Sequence, residues 1–269
     1  LLYKAKNPIG IFDSGVGGLT VANAIAIQLP NESLVYFGDT AHLPYGEKSP
    51  QNIKKYSHEI INYLLQQNCK AIVIACNSAS SHAYNYLKEQ LPKGFPLVNV
   101  IDPTVKHLTK LKIKKVGIIG TRATINANIY AQKINKHFKT CKVKSLATPL
   151  LANYIEEGFF KKKEITQLVL KEYLENPHLK DIEALILACT HYPLIKADIN
   201  FYYDGEKILI DSTDVVANYL QAKLNNLNLL NSTSNNVNHR FVVSDLTPSF
   251  ESTAKMFFGS NIVLSQQIL

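Results

Sequence analysis

Ala71-Ile-Val-Ile-Ala-Cys76-Asn77-Ser78-Ala-Ser80 has a second version in this chain, Ala184-Leu-Ile-Leu-Ala-Cys189-Thr190-His191-Tyr-Pro193. In each, a short aliphatic run leads through Ala into Cys and then into a residue bearing a hydroxyl or an amide. A run of four or five β-branched and aliphatic residues bounded by turn formers predicts a strand buried on both faces. Each Cys then stands just past the carboxyl end of its strand, where open α/β sheets bind ligands. An earlier strand accompanies each motif: Ile9-Gly-Ile-Phe-Asp13-Ser14 precedes Cys76, and Val116-Gly-Ile-Ile-Gly-Thr121 precedes Cys189. Residues 13 and 76 are 63 apart and residues 121 and 189 are 68 apart, so the chain reads as two copies of one half. Two halves facing each other bring two cysteines to one cleft.

Strands alternate with helical patterns along the whole length. Strands are expected at 33–38, 96–101, 208–211 and 241–244, and helices at 19–29, 50–68, 78–91, 124–138, 162–175 and 249–258. This order predicts an α/β fold of two pseudo-symmetric, doubly wound parallel-sheet domains with the active site in the cleft between them. Cys69 and Cys141 read as small buried hydrophobes. Residues 224–238, rich in Asn, Leu and Ser, read as a helix end and a surface loop. The tail after Arg240 is too short for a domain of its own and is expected to dock on one of the halves.

With 269 residues, 46% of them hydrophobic, the chain can bury one large core or two medium ones. The net charge of +8 is carried by 27 Lys and only two Arg, Arg122 and Arg240, scattered along helix faces as a solvated surface. No basic run with interleaved aromatics occurs, so nucleic acid is a poor partner. No stretch approaches the ~18 apolar residues of a membrane span, and the amino end is too short and charged for a signal peptide. The four cysteines have neither CxxC pairing nor a His at metal-ligand spacing. A soluble, cytoplasmic protein with free thiols and no metal is expected.

The chemistry-bearing residues cluster at the strand ends. Asp13-Ser14-Gly15-Val16-Gly17-Gly18 lies between a strand and a helix, where glycines let backbone N–H groups face a carboxylate or phosphate. It is not GxGxxG, which weakens a dinucleotide reading. An acid directly after the strand would repel phosphate but can serve as the proton partner of a thiol. Pro44-Tyr45-Gly46, in a loop of turn residues, exposes a phenol and an N–H. The helix after Cys76 starts beside the thiol, a placement that favours thiolate. Read alone, His191 is an ordinary core or surface histidine and Thr121 and Thr124 are helix caps. Beside a second thiol in a repeated motif, His191 reads as that thiol's proton partner.

One Cys with a base suits acyl transfer. Two in equivalent motifs suit a reaction that takes a proton from one face of a carbon and returns one to the other, because running it backwards exchanges acid and base. A thiol, with an ordinary pKa of about 8.5, reaches either state through small shifts. With so few Arg, a carboxylate-bearing substrate would be held by N–H and hydroxyl groups from Ser14, Gly46, Asn77, Ser78, Thr121, Thr124 and Thr190.

Together, Ile-Phe-Asp13-Ser14-Gly-Val-Gly-Gly-Leu-Thr, Gly-Asp-Thr-Ala-His-Leu-Pro44-Tyr45-Gly46, Ala-Cys76-Asn77-Ser78-Ala-Ser and Ala-Cys189-Thr190-His191-Tyr-Pro resemble the glutamate racemases of the cofactor-independent aspartate/glutamate racemase superfamily, over residues 9 to 258. The resemblance implies interconversion of L- and D-glutamate, with D-glutamate supplied to peptidoglycan, no pyridoxal phosphate and a homodimer. It implies Cys76 and Cys189 as the two proton carriers, assisted by Asp13 and His191 respectively, with Glu156 near the second side. Asp13, Ser14, Tyr45, Gly46, Asn77, Ser78, Thr190 and His191 would line the glutamate site. Residues 1–100 with 210–269 would form one domain and 101–209 the other. Two alternatives stand beside it: a superfamily enzyme acting on aspartate or a hydantoin, and a two-domain binding protein whose cysteines only pack.

Overall fold

Burial on both faces is what the aliphatic runs demand, and parallel sheets covered by helices satisfy it. A computed structural model describes residues 3–233 and 237–269. Its strands are β1 (Ile9–Asp13), β2 (Leu34–Gly38), β3 (Ala71–Ile74), β4 (Leu97–Asn99), β5 (Lys115–Gly120), β6 (Lys142–Ala147), β7 (Ala184–Ala188), β8 (Ile208–Ile210), β9 (Arg240–Val243) and β10 (Leu264–Gln266). They form a six-stranded sheet in the order β10-β9-β2-β1-β3-β4 and a four-stranded sheet in the order β6-β5-β7-β8. Every pairing is parallel.

Within the larger sheet, β2-β1-β3-β4 repeats the order of the whole smaller one, so β3 and β7 are equivalent strands and each leads into a cysteine. Register does the positioning. Asp13 pairs with Gly38 and Phe12 with Ile74, so Cys76 leaves its sheet next to the end of β1. Gly120 pairs with Ala188, so Thr121 and Cys189 leave the other sheet side by side.

The helices are α1 (Leu19–Gln28), α2 (Pro50–Gln66), α3 (Asn77–His82), α4 (Tyr84–Gln90), α5 (Ile101–Lys110), α6 (Arg122–Ala127), α7 (Ile129–His137), α8 (Pro149–Glu156), α9 (Lys163–Leu174), α10 (Lys196–Tyr202), α11 (Thr213–Asn226) and α12 (Pro248–Phe258). Starts follow local chemistry: at α2, Pro50 occupies the first turn and Ser49 Oγ accepts from Asn52 N at 3.3 Å. The tail extends the larger sheet through β9 on the edge of β2, while α11 and α12 lie against α1.

Several elements differ from the sequence expectation. The helix expected over 78–91 bends at Ala83, and Ser81 Oγ bonds back to Asn77 O at 2.8 Å, a contact that bends helices. The helix expected to run to 138 is divided by Asn128 in the left-handed region, which Asn tolerates. Residues 100–101 leave the expected strand, and Ile101 opens α5. Cys141 precedes β6 and is buried. Strand β10, too short to carry a period, was not expected. Of the loop expected within 224–238, residues 234–236 lie outside the described residues.

One ion pair is buried in the core of the larger sheet. Lys70 Nζ meets Glu32 Oε2 and the carbonyl of Ala5, and Glu32 Oε1 accepts from Asn231 N at 2.9 Å. Both side chains are fully or almost fully buried, so neither charge has water as an alternative partner. Lys70→Met should therefore cost about 3–5 kcal/mol in urea unfolding, because it strands a buried carboxylate. A loss below about 1 kcal/mol would show that the pair is not desolvated as described.

Candidate active site

The carboxyl ends of β1, β3, β5 and β7 converge on one pocket. It is lined by Ser14, Gly15, Leu43, Pro44, Tyr45, Gly46, Cys76, Asn77, Ser78, Thr121, Ala152, Asn153, Glu156, Ala188, Cys189, Thr190 and His191. Both cysteines therefore line the same pocket, one from each sheet, and both are at least nine-tenths buried. Asp13 and Thr124 stand behind this lining. Gly15, from the glycine turn after β1, lines the pocket as well, and Leu43, Ala152, Asn153 and Ala188 line it without having been singled out in the sequence, where nothing distinguishes them from loop and strand packing.

On the first side, Cys76 caps α3 and its sulfur accepts from Ala79 N at 3.5 Å. Its thiol lies 3.6 Å from Ser14 Oγ, to which it donates. Burial, and then the Asp13 carboxylate, push the Cys76 thiol up to about 12, against the helix N–H and the Ser14 hydroxyl. Asp13 is wholly buried; Oδ2 accepts from Gly15 N at 3.1 Å and Oδ1 has no partner among the described residues. Burial raises its carboxyl above the usual range, opposed by His191 and by the N–H groups of Gly18 and Gly15.

The second side is a chain of three groups. His191 Nδ1 lies 3.6 Å from Cys189 Sγ, and His191 Nε2 lies 2.7 Å from Glu156 Oε1. Burial alone would lower the His191 pKa, but Cys189 and Glu156 together raise it well above the ordinary value. Phe257 of α12 closes over the ring edge-on, with centroids 5.3 Å apart. The two thiols thus have opposite electrostatic neighbours, a carboxyl group beside Cys76 and an imidazolium beside Cys189.

Hydroxyls bridge the sheets: Ser78 Oγ is 2.9 Å from Thr121 Oγ1 and 3.3 Å from Thr124 Oγ1. Tyr45 is buried and donates to Asp39 Oδ2 at 2.6 Å, and Asp39 Oδ1 accepts from Ser244 Oγ at 2.9 Å. Burial and Asp39 raise the Tyr45 phenol, keeping it a donor. Two glycines turn out to permit close approach between the sheets. A Cβ on Gly17 would lie 2.4 Å from His191 Cε1 and 2.6 Å from Thr190 Oγ1. One on Gly46 would lie 2.8 Å from Thr121 Cβ. Thr20 Oγ1 donates to Thr190 O at 2.9 Å across the same seam. Among the described residues no group of three His, Cys, Asp or Glu is arranged to hold a metal.

The model of the Asp/Glu/Hydantoin racemase family matches residues 18–220. The glutamate racemase of Neisseria meningitidis serogroup A is 40% identical over 256 residues, covering 94% of this chain and 93% of that protein. That of Chlorobaculum tepidum is 38% identical over 260 residues, covering 96% and 95%. Among solved structures, the glutamate racemase of Francisella tularensis subsp. tularensis SCHU S4 in complex with D-glutamate superposes with a TM-score of 0.91 at 41% identity, covering 98% of each chain.

Because Glu156 is one of the two groups raising the His191 pKa, Glu156→Gln should lower the midpoint of the His191 ring resonances in an NMR pH titration. An unmoved midpoint would remove Glu156 from the chain of three. Gly17→Ala must displace the His191 ring, and about an ångström of misplacement lowers turnover about 10²-fold. Far-UV circular dichroism should be unchanged, and full turnover would mean that the ring position is not critical.

Proposed function

This chain belongs to the Asp/Glu/Hydantoin racemase family, and within it we propose that the protein is a glutamate racemase, interconverting L- and D-glutamate without a cofactor by proton transfer between two thiols. The observation that carries this reading is the pair of buried cysteines, delivered by equivalent strands of two sheets into one pocket, each with its own ionisable neighbour. A packing role explains neither the shared pocket nor the His191–Glu156 pair.

The chemistry needs a base on one face of Cα and an acid on the other. A thiolate takes the Cα proton and becomes a thiol, leaving a carbanion whose charge spreads into the α-carboxylate. The opposite thiol then gives its proton to the other face of Cα and becomes the thiolate. Cys76, its thiol pushed up by burial and by Asp13, suits the donor role, and Cys189 lies 3.6 Å from the His191 ring. The reverse reaction exchanges the roles of the two thiols, with Asp13 near Cys76 as the ionisable neighbour. Positioned acid and base each contribute about 10²- to 10⁴-fold. The remainder falls to the excluded water and to donors aimed at the carboxylates: Ser14, Asn77, Ser78, Thr121, Thr190 and the N–H of Gly46.

Free space in the pocket is about 40 Å³. That is room for about three waters, so admitting an amino acid requires the two sheets to part. The reading assigns residues 1–100 and 210–269 to one moving body and 101–209 to the other. The product D-glutamate serves peptidoglycan synthesis, which places the enzyme in the cytoplasm; no described helix is long and apolar enough to cross a membrane. A homodimer is part of the reading. Its support is apolar surface on two packed helices, where Leu168 of α9 and Phe201 of α10 are 68% and 71% exposed.

Without added cofactor, the circular dichroism of L-glutamate should decay to zero, and in deuterated water the product should carry deuterium at Cα from either enantiomer. Cys76→Ala and Cys189→Ala should each lose at least about 10²-fold of racemisation. Full turnover by either variant, or racemisation without solvent exchange, would sink the two-thiol account.

A further inference from the structure

Asn77 follows Cys76 directly, opens α3 and lines the pocket, so the same turn that sets the sulfur sets its backbone. An amide can present either end. Its oxygen would repel a carboxylate, while its nitrogen would donate to one. Which end faces which way is decided from the other sheet's side: Tyr130, in the first turn of α7, donates its hydroxyl to Asn77 Oδ1 at 2.8 Å. With the oxygen held there, Nδ2 is left as the end without a partner among the described residues, although it is buried. A buried amide N–H₂ left unpaired in a protein interior costs stability unless a ligand completes it.

We propose that Tyr130 is a positioning residue for racemisation: its hydroxyl locks the Asn77 amide so that Nδ2 is offered to the substrate's α-carboxylate. The inference rests on the racemase reading above and adds a residue outside the pocket lining. Tyr130 is itself almost fully buried, so its ring holds one place. Burial raises its phenol, which keeps it protonated and donating throughout the working pH range. The bond also runs between helices that belong to the two different sheets, α7 to α3. Negative charge on the α-carboxylate grows as the Cα proton leaves, and a pre-aimed N–H is worth more in that transition state than with bound glutamate.

Tyr130→Phe removes the hydroxyl and keeps the ring. In the circular dichroism assay kcat should fall about tenfold with KM changed less than about threefold, because the amide still binds but is no longer aimed. A role in folding alone would not produce this split. Asn77→Ala should be worse, and adding Tyr130→Phe to it should cost nothing further. Equal losses from Tyr130→Phe in both backgrounds, or wild-type kcat in the single variant, would overturn the inference while leaving the racemase reading intact. A wild-type enzyme that leaves L-glutamate unchanged would overturn that reading and this inference with it.

Discussion

Where Gly17 would carry a side chain, the imidazole of His191 already lies. This contact fixes how the two sheets meet, because a turn at the end of one strand accepts the Cys189-Thr190-His191 motif at the end of another. Thr20 adds a hydrogen bond to the Thr190 carbonyl in the same seam, and Gly46 makes the same allowance for Thr121 on the far side of the pocket. Two glycine-bearing turns from the larger sheet thus seat two motifs of the smaller one. The side chains around the resulting pocket are buried, and that burial is what shifts its ionisable groups. Burial is the first cause of the upward shifts of Asp13, Cys76 and Tyr45, and a more exposed cleft would lose them.

Equivalent strands deliver the cysteines, yet their surroundings are opposite in charge. A perfectly symmetric site would give both sulfurs the same neighbours, whereas the proposed reaction asks one side to release a proton while the other takes one. Asp13 disfavours charge on Cys76, while His191, held cationic by Cys189 and Glu156, offers a counter-charge across from it. The asymmetry is local, a matter of which residue stands at the end of β1 and which follows Cys189. It leaves the backbone equivalence intact.

Much of this was legible in the chain. Aliphatic runs ending in Ala-Cys gave the strands, their repetition gave two similar parallel-sheet halves, and the residues after each Cys fell at the pocket. What was not legible depends on partners distant in sequence. The glycines of Asp13-Ser14-Gly-Val-Gly-Gly read as an N–H cradle for a ligand, and the reason for Gly17 is a ring more than 170 residues away. Tyr130 has no motif of its own, and its role exists only through a bond between helices of different sheets. Strand β10 is three residues long and owes its existence to the edge of β9. Asn128 interrupts a periodic pattern by entering a backbone region that no period encodes.

The tail breaks the pseudo-symmetry, and where it does so is informative. Strands β9 and β10 extend only the larger sheet, and β9 is followed directly by Ser244, whose hydroxyl fixes Asp39 and through it Tyr45 and the loop around Gly46. From the following helix, Phe257 closes over the ring of His191. The added segment therefore reaches both sides of the pocket. An amino acid presents two exchangeable faces at one carbon but chemically different groups around it. A site for its racemisation must be even-handed about the carbon and one-sided about everything else. The repeated half supplies the first requirement, and the unrepeated tail, by setting one loop and one ring, supplies part of the second.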